Sequence, residues 1–366
     1  MTRRATPLAH IAAIQPYQPG KPIDAVEREL GISQSIKLAS NENPLGPSPR
    51  VLEAIQSGLQ DLSRYPDGNG FMLKAALADF HQVQTQQITL GNGSNDVLEL
   101  IARVMVSAAD EVIFSEYAFA VYPLVTQAIG ATARVAKAKH YGHDLEAMAQ
   151  LINEQTKLIF IANPNNPTGT KLDNSALYAF LHTVPEHIVV VLDEAYVEYS
   201  TEGDESISWL AEFTNLVVTR TFSKAYGLAS LRVGYSVSHP DIAEVMNRIR
   251  QPFNVNQLAL LAAKAALADR EYIDRAQQQN SQGMQQLSSG LQQLGLSVIP
   301  SWANFIAVDT GHQAQTVFNA LLAKGVIVRP LASYGLAQFI RISIGLKTEN
   351  QRCLDSLAIV LRELHD

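Results

Sequence analysis

Cysteine is nearly missing from this sequence. Cys353 is the one thiol in 366 residues, in a stretch of helical pattern near the C-terminus. Disulfides and cysteine-based zinc sites are therefore excluded, and packing is the expected role of that thiol. No metal site is expected. Also missing is any uncharged apolar run long enough to cross a bilayer. No apolar run follows Arg3 and Arg4, so no signal peptide is expected. The cytoplasm is the expected location, without a membrane partner. Basic clusters are absent too: 35 acidic residues against 28 basic ones leave a formal charge of −7, with no Lys/Arg run. Nucleic acid is thus not an expected partner. Gly91 and Gly93 lack the GxGxxG spacing that a dinucleotide-binding turn needs.

What is present is a globular composition, 47% apolar and 17% charged, long enough for about two domains. Residues 1–40, with Pro16, Pro19 and Pro22 around Tyr17 and Gly20, read as an irregular arm. Residues 41–250 read as one large domain, and from 70 to 240 helical stretches alternate with short apolar runs at Ile88–Leu90, Glu111–Phe114, Leu158–Ala162, Ile188–Leu192, Leu216–Thr219 and Val233–Val237. LIFIA and IVVVL are apolar on both faces, as strands covered by helices on each side must be. Such alternation predicts an α/β large domain whose central, mostly parallel sheet is sandwiched by helices. Its first part, about 41–65, is a candidate for packing with the small domain. Residues 251–366 read as that smaller α+β domain. It opens on one long helix, Asn256 to about Leu294. Short strands follow near Leu296–Ile299, Phe305–Val308, Val326–Val328 and Phe339–Ser343, with helices over 313–323 and 348–364.

In open α/β sheets, ligands bind beyond the carboxyl ends of the strands, so the residues after each strand carry the functional signal. After Ile88–Leu90 comes GNGSND and then a helix. Ser94 and Asn95 are either plain N-caps or part of a phosphate cradle on a helix N-terminus. After LIFIA comes NPNNPTG, where Asn165 and Asn166 are held between prolines. After IVVVL comes Asp193, a carboxylate at a buried strand end that calls for a cationic partner, with Tyr196 three residues on. After LVVTR comes Thr221-Phe222-Ser223-Lys224. A lysine among apolar neighbours can lose its proton and attack an aldehyde. Thr221, Ser223 and Arg232 add phosphate donors. Each of these has a bland structural reading on its own. In this order, a cradle, an amide, a carboxylate and an amine meet the needs of one cofactor, pyridoxal 5′-phosphate (PLP).

The motifs NPNNPTG (163–169), DEAY (193–196) and SKAYGLASLRVG (223–234) resemble those of the fold-type I PLP-dependent transferases, in the class I/II aminotransferase group. Within it the chain is most similar to the histidinol-phosphate aminotransferases, through QPYQPGKP (15–22), LASNENPLGPSP (38–49), RYPDG (64–68), YAFAVYP (117–123), GVIVRP (325–330) and IRISIG (340–345). The resemblance implies that Lys224 holds PLP as a Schiff base and then moves the substrate proton. It further implies that Asp193 pairs with the ring nitrogen, that Asn166 and Tyr196 hydrogen-bond the ring oxygen, and that Phe119 stacks on the ring where the family commonly has Tyr. Ser94, Asn95, Thr221, Ser223 and Arg232 would hold the phosphate, with Tyr65 reaching across from a neighbouring subunit of an obligate homodimer with a shared active site. Tyr17, Asn43, Arg329 and Arg341 would bind substrate. The implied reaction is transfer between histidinol phosphate and 2-oxoglutarate, with glutamate as its amino product, in histidine biosynthesis. An aromatic amino acid aminotransferase and a PLP-dependent decarboxylase of a phosphorylated amino acid are the alternatives.

Overall fold

Alternation along the buried strands sorts their side chains onto two separate cores. In Thr156–Ala162, Leu158, Phe160 and Ala162 enter one apolar cluster, whereas Ile159 and Ile161 enter the other. Val189 and Val191 part from Val190 and Leu192 in the same way. This is the two-residue period of a strand with both faces covered. A fully buried side chain such as Phe160 contributes about 1.5–3 kcal/mol.

The computed structural model describes residues 5–16, 20–200 and 205–365. Seven strands form the large sheet: β1 (Ile88–Gly91), β2 (Glu111–Ser115), β3 (Thr132–Ala136), β4 (Thr156–Ala162), β5 (Val189–Asp193), β6 (Leu216–Thr221) and β7 (Gly234–Ser238). Their order is β1-β7-β6-β5-β4-β2-β3. Only β7 runs antiparallel to its neighbours. A second, antiparallel sheet holds β8 (Ser297–Ile299), β9 (Phe305–Asp309), β10 (Arg329–Pro330) and β11 (Phe339–Ser343), in the order β10-β11-β9-β8. The chain is thus an α/β protein with a mostly parallel central sheet and a smaller α+β part.

Four features depart from the sequence reading. Strand β3 has no apolar run because it is an edge strand, exposed at Thr132–Val135. The long helix after Pro252 is two, Gln257–Leu267 and Arg270–Gln293, because the Asp269 carboxylate caps the second by accepting from the Tyr272 N–H. The first of these packs against Pro49–Gly58 and joins the core of the large sheet, so that core extends past residue 250 to Leu267. Finally, the end of the arm is ordered. Helix Ile23–Leu30 places Val26 against Leu322 and Ile327, and Ile36–Lys37 pairs in parallel with Val326–Ile327. Among the described residues no helix is long and apolar enough to cross a membrane.

Candidate active site

Three neighbouring parallel strands, β4, β5 and β6, end side by side, so the loops after them share one edge of the sheet. Asp193 is the last residue of β5 and is 4% exposed. Strand alternation sends the adjacent Glu194 elsewhere, into a buried 2.6 Å ion pair with Arg220. Asp193 has no such partner. Its carboxylate accepts from the Tyr122 hydroxyl at 2.8 Å and the Thr219 hydroxyl at 3.1 Å, and no cation stands within ion-pair distance among the described residues. Burial pushes its pKa up, against the pull of the two hydroxyls, the Ala195 N–H and the Lys224 charge. A buried carboxylate supplied only with neutral donors is suited to a cationic ligand atom.

After β4, the loop Asn163–Gly169 divides its asparagines. The Asn163 side chain accepts from Leu172 N at 2.7 Å, and Asn165 ties down the loop by donating to Tyr117 O (2.9 Å) and Thr168 Oγ1 (2.8 Å). Asn166 alone faces the cavity. Its Nδ2 donates to the Tyr196 hydroxyl at 3.2 Å, and its Oδ1 accepts from Arg341 Nη1. Gly169 is required here: its φ is +82°, and a Cβ would lie 2.2 Å from Ser301 Oγ.

Lys224 follows β6. Its ammonium group reaches Ser40 O at 3.2 Å and lies 5.7 Å from the Tyr196 ring centre. Burial pulls its pKa from 10.5 down to about 8, helped by the positive charges of Arg341 and Arg232. The amine is therefore a nucleophile at a pH where surface lysines are still charged. When the cofactor-free protein is treated with an aldehyde and borohydride, labelling of Lys224 should rise through about pH 8 and level off above it. Peptide mass mapping reads this; labelling that rises only near pH 10.5 would contradict the burial of this amine.

The end of the site at Ser94 is built from close backbone approach. Gly93 precedes helix Ser94–Met105, and a Cβ on it would meet Arg232 Nη2 at 2.4 Å; a Cβ on Gly234 would meet Ser94 N at the same distance. Glycines thus let the guanidinium and strand β7 crowd the helix N-terminus. Arg232 donates to Ser223 Oγ at 3.2 Å. Free N–H groups, hydroxyls and a guanidinium converge there, which is a donor set for a phosphate.

These groups line one cavity of about 410 Å³. It brings together Ser94, Asn95, Phe119, Asn166, Asp193, Tyr196, Thr221, Ser223, Lys224, Arg232 and Arg341. A hollow of about 230 Å³ beside the Arg220–Glu194 pair gathers none of the sequence-predicted residues. The donor set fits PLP: a buried carboxylate for a ring nitrogen, an amine for an aldehyde, and a cradle for a phosphate.

Three of the described sequence-predicted residues do not line that cavity. Asn43 is a correction. Its amide donates to Ala225 O (2.7 Å) and Tyr272 OH (3.0 Å), so it anchors the turn after Lys224, and Asn41 lines the cavity in its stead. Arg329 is buried opposite Arg341 on the paired strands β10 and β11, hence on the same face, but does not line the cavity. Tyr65 is 82% exposed and stacks on Phe253 at 4.6 Å. Tyr17 lies outside the described residues. Conversely, the cavity's Asn41 and Tyr334, and the Asp193 partners Tyr122 and Thr219, escaped the sequence reading. Thr219 left a weak signal, a hydroxyl where the apolar run Leu216–Val218 gives way to polar residues; Tyr122 sits in a helix, Val121–Ile129, where nothing local marks it.

With that geometry in place, comparison with known proteins is informative. The sequence profile of the family described as "Aminotransferase class I and II" matches residues 33–357. A histidinol-phosphate aminotransferase of Idiomarina loihiensis is 55% identical over 349 residues, covering 95% of each chain. One of Pseudomonas aeruginosa is 56% identical over 356 residues, covering 96% of each. Among solved structures, the histidinol-phosphate aminotransferase of Sinorhizobium meliloti, in complex with pyridoxal-5′-phosphate, superposes with a TM-score of 0.90 at 30% identity, over 97% of both chains. An aspartate aminotransferase of Thermus thermophilus shares the fold at 23% identity and a TM-score of 0.85.

Proposed function

The chain belongs to the class I and II aminotransferases and, within them, to the histidinol-phosphate aminotransferases; from that premise we propose that it transfers the amino group of L-histidinol phosphate to 2-oxoglutarate, yielding imidazole acetol phosphate and glutamate, in the biosynthesis of histidine. The observation that carries this reading is identity of 55–56% along nearly the whole of both chains, cavity residues included in the matched span. Its cofactor is pyridoxal 5′-phosphate.

When bound, PLP supplies an electron-withdrawing ring that takes up the charge left at the substrate carbon once its proton is removed. Lys224 Nζ, poised near neutrality by burial, takes that proton as a base and returns it as an acid. The Asp193 carboxylate, fixed by Tyr122 and Thr219, keeps the ring nitrogen protonated. Tyr196 and Asn166 would hydrogen-bond the ring oxygen, and Phe119 would offer the ring an aromatic face. Ser94, Asn95, Thr221, Ser223 and Arg232 hold the phosphate, and the narrow fit around Gly93 orients it. Arg341, held by Asn166 and by Ala39 O at 3.0 Å, binds the anionic end of the substrate. A guanidinium fits either the carboxylate of glutamate or the phosphate of histidinol phosphate, so one site serves both half-reactions. Arg329, opposite Arg341 on the paired strands, and Tyr17 would also bind substrate.

We assign the working form as a cytoplasmic homodimer in which Tyr65 enters the neighbouring subunit's site. The exposure of Tyr65, and of Leu62, Phe71 and Met72 close to it in sequence, supports this, since exposed apolar side chains suit a partner. The test is a half-reaction screen. The purified, PLP-loaded protein is mixed with single amines, and loss of the cofactor's visible absorbance is followed. Histidinol phosphate should exceed phenylalanine in kcat/KM by roughly 100-fold or more. The reverse order would overturn the substrate and leave the family standing.

A further inference from the structure

The Tyr196 hydroxyl has its proton direction set by two amides. Asn41 Nδ2 donates to its oxygen at 2.9 Å and Asn166 Nδ2 at 3.2 Å. Both amides are themselves oriented. Asn166 Oδ1 accepts from Arg341, which has only donors, and Asn41 Oδ1 accepts from the Ser343 hydroxyl at 3.0 Å. Arg341 and Ser343 are two apart on β11, so one face of one strand turns both amide NH₂ groups toward the phenol. Asn41 is further locked. Its N–H donates to Ser343 Oγ at 2.8 Å, its C=O accepts from Asn304 Nδ2 at 3.0 Å, and its φ of +55° is a conformation that asparagine tolerates.

With both lone pairs of the Tyr196 oxygen taken, its proton must leave in the remaining direction. No acceptor for it stands among the described residues, and the cavity is the space left. Burial pushes the Tyr196 pKa up to about 12, so the proton is present throughout the working range.

We propose that Asn41, held by Ser343, is a positioning residue that makes Tyr196 a one-way hydrogen-bond donor into the cavity and so lowers the pH at which the Lys224-bound cofactor loses its proton. This rests on the PLP reading above. A hydrogen bond donated to the cofactor's phenolic oxygen draws off the negative charge that otherwise retains the neighbouring proton. Asn41 strengthens that bond by polarising the phenol. The other charged and titratable groups facing the pair are Arg341, Asp193 and Tyr334 on Tyr196, and Arg341, Glu42, Arg232 and Asp193 on Lys224. They are the same in every variant below.

The test is a spectral pH titration of the PLP-loaded protein and three variants. Asn41→Gly removes the amide but keeps the positive φ accessible. Ser343→Ala frees the Asn41 amide to turn. Asn41→Asp replaces the donor with an acceptor that draws the Tyr196 proton away. The midpoint should move up in all three, most in Asn41→Asp, where roughly one pH unit is expected for losing one hydrogen bond to a charged group. An upward shift in the two neutral variants cannot come from an added charge, so these decide the matter. If both titrate at the wild-type pH, the inference is wrong. A wild-type protein that shows no titrating visible band after loading with PLP would instead refute the cofactor reading itself.

Discussion

Lys224→Ala should abolish turnover while leaving the cofactor bound. The substitution removes the amine that carries protons at the substrate carbon, a role worth roughly 10²- to 10⁴-fold in rate by itself, and with it the covalent anchor. It does not touch the phosphate cradle: Arg232, Ser223, Thr221 and the helix N-terminus at Ser94 remain. One of the positive charges crowded near Arg341 and Arg232 also disappears. Binding of PLP should therefore persist, but borohydride should no longer fix it to the protein. The measurements are kcat with histidinol phosphate and the mass of the protein after reduction. Added small primary amines should restore part of the rate, because a neutral amine is what the site lacks. Lys224→Arg should not be rescued in this way, since guanidinium fills the space and stays protonated. Full turnover in Lys224→Ala would rule out this amine as the group that moves the proton.

Asp193→Asn should separate catalysis from stability in opposite directions. Asparagine keeps the size of the side chain but removes the charge that holds the ring nitrogen protonated. Losing one member of a buried charge pair costs about 3–5 kcal/mol, which corresponds to a loss of roughly 10²- to 10⁴-fold in kcat. Without cofactor the same change should help. Burial raises the Asp193 pKa above its ordinary 3.8, so the folded protein holds this proton more tightly than the unfolded chain does. The stability this confers is complete below pH 3.8 and is lost as pH rises through the raised pKa. Above that raised pKa the cofactor-free wild type carries an ionised carboxylate with only hydroxyl and N–H donors around it, and Asp193→Asn does not. The cofactor-free variant should melt at higher temperature than the cofactor-free wild type at pH 7, and this gain should shrink as the pH approaches 4. Adding PLP should reverse the order at pH 7. Equal melting temperatures at every pH would mean that the site is more hydrated than its burial implies.

The two-sided strands were readable because their signal is local. LIFIA and IVVVL must have apolar partners on both faces wherever they lie, and the cavity forms where such strands end. The same holds for Lys224 and Asp193, which stand directly beyond or at the end of those runs. Strand β3 was hidden because an exposed edge needs no apolar pattern. The break at Asp269 was hidden because a capping residue inside an alanine-, leucine- and glutamine-rich stretch is a weak mark against a strong helical period. Asn43 was chosen over Asn41 although both lie in the same NEN segment. Their difference is set by what each meets across the fold: Ala225 and Tyr272 for one, Tyr196 and Ser343 for the other.

Composition, period and motif order by themselves determined the α/β class and the cofactor chemistry, and they pointed to an amine, an acid and a set of phosphate donors that the fold gathers in one cavity. These depend on residues a few positions apart, where chain geometry allows few outcomes. The tertiary structure alone decided that Tyr122 and Thr219 hold the acid and that Asn41, rather than Asn43, meets Tyr196. The Asn41 contacts join residues 155 and 302 positions apart. At such separations nothing local constrains which polar groups meet; the packing of the segment around Tyr196 on Ala303 and Phe305 does.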